Sequence, residues 1–281
     1  MVKKLSLIAL LLLVIGIGGS IYTGKSQFKE VEKLEDKVIK DSQFEAVDIY
    51  TDNAKVIIKA TDDKYPKIEL EGNNKKYDLK TGVLNHTLSV DLTSRGKKLF
   101  SFGIFSKQST LTVHIPQKTY EQIRIKSNNG RIHVKEIKGV KIEMLSDNGR
   151  IQARQMEGEE VFAKSNNGRI ELEDIAAQMI KPEADNGRIN MKYIEGEIIG
   201  KLYNGKINLV TKEMNHPINL SSDNGKIEIK TDKKPTNAIL DLKTDNGKVT
   251  VFGEENWDTV IGKGEHLIKL ISKNGKISIT Q

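Results

Sequence analysis

The sequence predicts an all-β protein, a parallel β-helix built from coils about 19 residues long, and three observations predict it. Asn-Gly followed by a cation and a β-branched residue recurs eight times, at Asn129, Asn148, Asn167, Asn186, Asn204, Asn224, Asn246 and Asn274. Successive copies are 19, 19, 19, 18, 20, 22 and 28 residues apart, the near-fixed period of a stacked repeat. The third and fifth residues after each Asn are apolar, as in Ile132 and Val134 or Ile170 and Leu172. The fourth is polar in every copy: His133, Gln152, Glu171, Asn190, Asn208, Glu228, Thr250 and Ser278. Such period-two alternation marks a strand with one buried face. The sixth residue before each Asn is also apolar, from Ile123 and Ile142 through Ile268, so both arms of every repeat supply a core.

Asn-Gly is also the strongest short-range signal for a type I′ hairpin, and a meander of stacked Asn-Gly β-hairpins is the alternative topology. The solenoid accounts for more of the pattern. A constant circumference demands a constant coil length, and like residues then stack in columns every ~4.8 Å. Gly139, Gly158 and Gly196, with Ala177 in the third copy, mark a second corner nine residues after the first glycine.

The elements follow in order. Residues 1–24 form a transmembrane anchor or uncleaved signal. Leu5 to Ile21 carries no charge and as a helix would span ~26 Å, nearly the hydrocarbon core. Lys3 and Lys4 before it orient the N-terminus to the cytoplasm and send the rest outward. Residues 25–43 read as a short amphipathic helical spacer, with Phe28, Val31, Leu34 and Val38 near helical spacing. Residues 44–120 alternate without the Asn-Gly period, an irregular β cap such as the open core of a solenoid requires. Residues 121–281 are the repeat solenoid, whose long last copy folds a loop containing Trp257 over the C-terminal edge.

Composition narrows the function classes. The chain has 281 residues, 45 basic and 38 acidic, and no cysteine, which removes disulfides, thiolate metal sites and a cysteine nucleophile. A net charge of +7 suits anionic partners, but nothing resembles a nucleic-acid-binding motif. No Gly-x-Ser-x-Gly, His-Glu-x-x-His or phosphate loop occurs, and the five histidines are scattered. Glu171 and Glu228 share a column three rungs apart, ~14 Å, too far to act as paired acid and base. No catalytic residue, metal or cofactor is expected.

Stacking does create one candidate site. Arg131, Arg150, Arg169, Arg188, Lys206, Lys226, Lys248 and Lys276 follow the glycines and would fall in one column, a ladder of cations able to track an anionic polymer. Asp147, Asp185, Asp223 and Asp245, each just before its Asn, are expected to neutralise part of that charge. The Asn column itself reads as structural, each amide satisfying the next. Phe100, Phe102 and Phe105, bracketed by Lys97, Lys98 and Lys107, are a second candidate, a loop for a membrane interface or partner.

The order of features is an apolar anchor, irregular strands, Leu111-Thr112-Val113-His114-Ile115-Pro116, then Ile123-x-Ile125-x-Ser127-x-Asn129-Gly130-x-Ile132 and its repeats. Over the whole of residues 1–281 this resembles the candidate-adhesin β-strand-repeat family of bacterial envelope proteins, and within it the LiaG-type members of the Lia cell-envelope-stress operon of Gram-positive bacteria. The resemblance implies a right-handed parallel β-helix on the cell surface. The expected function is a membrane-anchored, extracytoplasmic, non-enzymatic binding or structural module of the envelope, to which the resemblance adds a role in envelope stress. Its expected partners are the cytoplasmic membrane and an anionic cell-wall polymer or envelope protein. A carbohydrate-active enzyme on a β-helix and a regulatory partner of a membrane sensor are the readings from other classes.

Overall fold

The computed structural model describes residues 32–72, 77–94 and 109–281. The anchor at 1–24 and the Phe100, Phe102 and Phe105 loop lie outside these residues. Among the described residues no helix is long and apolar enough to cross a membrane.

Seventeen strands occur among the described residues. The N-terminal part contains β1 (Glu32–Val38), β2 (Ala46–Thr51), β3 (Lys55–Thr61), β4 (Lys67–Gly72), β5 (Tyr77–Leu84), β6 (Thr87–Ser94) and β7 (Thr110–Pro116). The repeats supply β8 (Thr119–Ser127), β9 (Ile132–Lys135), β10 (Lys138–Ser146), β11 (Arg150–Thr211), β12 (Ile218–Thr231), β13 (Ala238–Asn246), β14 (Val249–Val251), β15 (Val260–Ile261), β16 (His266–Asn274) and β17 (Ile277–Thr280). β11 is one unbroken extended run that passes through several coils.

Pairing between coils is parallel and in register at the repeat length. Gly139 aligns with Gly158 and Ile142 with Val161, while Ile132 aligns with Ile151. The two strands flanking an Asn-Gly pair with neighbouring coils and not with each other, which excludes the stacked hairpins: β8 pairs with β2 and β10, and β9 with β3 and β11. Each coil therefore gives one strand to each of two facing sheets. Their inward residues, among them Ile132, Ile151, Ile170, Ile189, Ile207 and Ile227, are wholly buried. Each such isoleucine contributes ~1.5–3 kcal/mol by leaving water.

Stacking order departs from chain order at both ends. β16 and β17 lie between β12 and the pair β13–β14, so the last coil in sequence is the penultimate one in space. Likewise β2 and β3 lie between the coil made by β8 and β9 and the outer strands β6 and β7. β2 and β3 near one end, and β16 and β17 at the other, are thereby paired on both sides. Beyond β6 and β7 the N-terminal edge is covered by antiparallel strands, β5 on one sheet and β4 then β1 on the other.

β1 corrects the helical reading of 25–43 over its described part. The Leu34 and Val38 spacing is outweighed by an open edge on β4 that needs hydrogen-bond partners, and Val38 is left 54% exposed. Charge secures the join. Glu69 on β4 lies 2.7 Å from Lys67, 3.0 Å from His114 Nε2 and 3.3 Å from Lys33 on β1. Those contacts, Lys67 first, hold its carboxyl down to about 2.

At the foot of the repeats Phe44 and Tyr120 stack with ring centroids 5.8 Å apart, beneath the Lys118 ammonium at 4.6 and 5.1 Å. The Tyr120 hydroxyl donates to the Pro116 carbonyl at 2.7 Å, and burial pushes its pKa up.

Candidate functional site

The Asn-Gly corner is built from three columns, and the first is the Asn ladder. Each Asn Nδ2 donates to the Oδ1 of the Asn below at 2.8–3.0 Å, from Asn129 onto Asn53 up through Asn148, Asn167, Asn186, Asn204 and Asn224. Asn274 comes next and Asn246 last, following the spatial order of the coils. Asn53 shows that Thr51-Asp52-Asn53-Ala54-Lys55-Val56 is a further copy of the motif, with Ala54 in the glycine position. The sequence reading places it in an irregular cap because the glycine is missing.

Glycine is the second column. A Cβ on Gly149 would lie 1.9 Å from the Gly130 carbonyl oxygen, and one on Gly168 would lie 1.8 Å from that of Gly149. The constraint is backbone approach between coils. The third column is hydroxyl. Ser127 Oγ accepts from the Gly130 N–H at 2.9 Å, and Ser272 Oγ donates to the Gly225 carbonyl at 3.0 Å. Where Ala184 and Leu202 replace the serine, Gly187 and Gly205 take left-handed φ values of 131° and 136°. The serine is part of the repeat motif read from the sequence, but its bonds to the corner backbone are disclosed only by the fold.

The opposite corner corrects the sequence reading in part. Glu136, Gln155, Asp174 and Tyr193 are left-handed at φ of 53–58°, three positions before Gly139, Gly158, Ala177 and Gly196, and of these last four Gly196 is itself left-handed at 116°. Gly158 is there for space, since its Cβ would lie 2.5 Å from the Gly139 carbonyl oxygen.

Just past the Asn-Gly corner, the eight predicted cations form one column. Register places Lys206 on Lys226, and the flanking residues place Lys276 between Lys226 and Lys248, with Lys55 continuing the column below Arg131. Arg131, Arg150, Arg169 and Arg188 line a shallow groove of about 440 Å³ floored by Gly149, Gly168 and Gly187 and edged by Asn148 and Asn167. No side chain rises from the glycine floor, so the guanidinium groups stand above bare backbone.

The neutralising carboxylates differ from those expected. Asp223 pairs with Lys273 at 3.1 Å, and Asp147 accepts from Asn166 at 3.4 Å; neither meets a ladder cation. Glu171 instead sits 3.3 Å from Arg169 and 4.0 Å from Arg150, while Glu228 binds Lys206 at 2.5 Å and Glu255 binds Lys248. Alternation explains this, because residues two apart on one strand share a face, whereas the Asp lies across the corner. Arg131, Arg188, Lys226 and Lys276 have no carboxylate within 4.0 Å among the described residues. Glu171 is the one carboxylate paired within the four-arginine groove.

His133 lies beside the ladder. Burial, then Lys55, Arg131 and Arg150, hold its imidazole below the ordinary value, and Glu171 opposes them only weakly. Among the described residues no group of three His, Asp or Glu side chains is placed to hold a metal.

These features define a class, a two-sheet parallel solenoid carrying a cationic edge. The family described as Toastrack DUF4097 matches residues 44–280, and the chain belongs to it. It is similar to a candidate adhesin from Bacteroides fragilis, with 15% identity over 89% of this chain and 97% of that one, at a TM-score of 0.48. It is also similar to two proteins of Parabacteroides distasonis. One is described as a candidate lipid-binding protein, with 14% identity over 88% and 96% of the two chains and a TM-score of 0.49. The other is a candidate adhesin, with 11% identity over 90% and 98% and a TM-score of 0.44. No curated protein matches the sequence.

Proposed function

We propose that this chain is a non-enzymatic binding module of the bacterial envelope, anchored by residues 1–24 with its solenoid outside the cytoplasmic membrane, and that the arginine groove binds a phosphate-bearing cell-wall polymer. The observation that carries the reading is the groove's composition: four stacked guanidiniums over a glycine floor, one carboxylate among them, and two of the four unpaired. Guanidinium offers a planar fork of donors that matches phosphate oxygens. At one cation per ~4.8 Å the four rungs present ~14 Å of continuous positive edge, and Lys55 extends it by one rung. The LiaG-type resemblance and its envelope-stress role belong to the same proposal, supported by the anchor and the repeat motif.

Co-sedimentation of the full-length chain in detergent with purified cell walls tests it. Walls should carry the protein down at low salt and release it as the Debye length contracts from ~10 Å at 0.1 M to ~3 Å at 1 M. Replacing Arg131, Arg150, Arg169 and Arg188 together by Gln should reduce the pelleted fraction at least tenfold. Equal sedimentation of that variant, or of walls stripped of anionic polymer, disproves the reading. An independent readout is the His133 imidazole, whose pKa an anion in the groove should raise from its depressed value by screening the neighbouring cations. Since that folded-state value lies below 6.5, the neutral ring favours folding, and the contribution is lost as pH falls through 6.5 and below.

A further inference from the structure

The eight Asn-Gly pairs have a chemical consequence of their own, independent of any ligand. In such a pair the glycine nitrogen, with no Cβ beside it, can attack the preceding side-chain carbonyl carbon. A bond forms between the glycine nitrogen and the Asn Cγ. The Cγ–Nδ2 bond breaks, the amide leaves as ammonia with the proton from the attacking nitrogen, and a succinimide remains. Water opens that ring at either carbonyl, giving aspartate or isoaspartate. No further reagent is consumed.

The ladder holds seven of the pairs back. Each interior Asn donates through Nδ2 to one neighbour and accepts on Oδ1 from the other, as Asn148 does between Asn129 and Asn167. Closing a succinimide there breaks both bonds and turns a side chain that its neighbours fix in place.

Asn246 is different. It ends the stack, its Nδ2 donates to Asn274 at 2.9 Å, and nothing donates to its own Oδ1 among the described residues. The N–H of Gly247 likewise has no partner among them, and both residues are exposed. Toward the opposite end Asn129 donates to Asn53, which is followed by Ala54 and not glycine, so the attacking nitrogen there is shielded by a methyl group. We propose that Asn246 is the deamidation site of this protein, the single Asn-Gly pair of the eight that the stack leaves free to react. Its product sets a carboxylate against the Asn274 Oδ1 that formerly accepted a hydrogen bond, acceptor facing acceptor beside Asp245, and so loosens the outermost coil of β13 and β14.

Peptide mapping by mass spectrometry, after incubation of the native full-length chain in mildly alkaline buffer, tests the proposal. Asn246 should convert at least about tenfold faster than any of the other seven, a ratio equivalent to ~1.4 kcal/mol of barrier. In urea the eight should react at similar rates. Equal native rates at all eight, or an interior Asn leading, would overturn it. The substitution Asn246→Ser should abolish the fast phase of ammonia release from the native protein; a fast phase that survives in this variant refutes the assignment.

Discussion

At the Asn-Gly corner a Cβ on Gly168 would lie 1.8 Å from the backbone of the coil below, while at the opposite corner Gln155 and Asp174 carry full side chains through left-handed turns at φ 53°. The first corner is shaped by what lies above and below it. Its amides and glycines contact the next coil, as do the hydroxyls of Ser165, Thr244 and Ser272, so the geometry belongs to the stack. The second adds to its close approaches, 2.5 Å at Gly158 and 1.7 Å at Gly196, one strained dihedral per coil, for which a residue other than glycine incurs ~1–2 kcal/mol. Repetition is therefore strict at the first corner and loose at the second, where side chains vary from Glu136 to Tyr193.

Substitutions can break or sharpen that contrast. Gly168→Ala should have the largest effect, about 3 kcal/mol or loss of folding, because the methyl group drives two backbones apart; urea denaturation measures it. Asn167→Ala should cost about 1 kcal/mol, stranding the Asn186 donor and the Asn148 acceptor. Gln155→Gly should be neutral or stabilising by up to ~1 kcal/mol, relief of the left-handed strain outweighing the added chain entropy. If Gly168→Ala and Gln155→Gly shift the urea midpoint alike, the two corners do not differ in kind. Smallest in stability is Glu171→Gln, within ~0.5 kcal/mol, since the arginines it pairs with are solvent-exposed, yet it should tighten wall binding by freeing Arg169 and Arg150.

What the sequence discloses follows the same line. The strand alternation, the period and the cation column were legible because each is written into every copy, and the columns stand where the Asn numbering puts them. Stacking order was not legible. A copy such as Lys269-Leu270-Ile271-Ser272-Lys273-Asn274-Gly275 specifies which column each residue joins, and says nothing of which coil lies next to it. Asn53 escaped notice because Ala54 erased the glycine signal, and Glu32–Val38 because an edge on β4 supplies partners that local spacing cannot reveal. The partners of the cations were misread for a geometric reason. Asp147 is near Arg150 in sequence but lies across a corner, while Glu171, a coil away, shares its face.

The position of β17 has a mechanical consequence. A tensile load on the C-terminus does not meet an outer winding that could be stripped off one hydrogen bond at a time. Ile277–Thr280 is gripped by β12 on one flank and β14 on the other, so extraction must shear two ladders at once. A solenoid pulled at Thr280 would thus resist by shear and not by peeling.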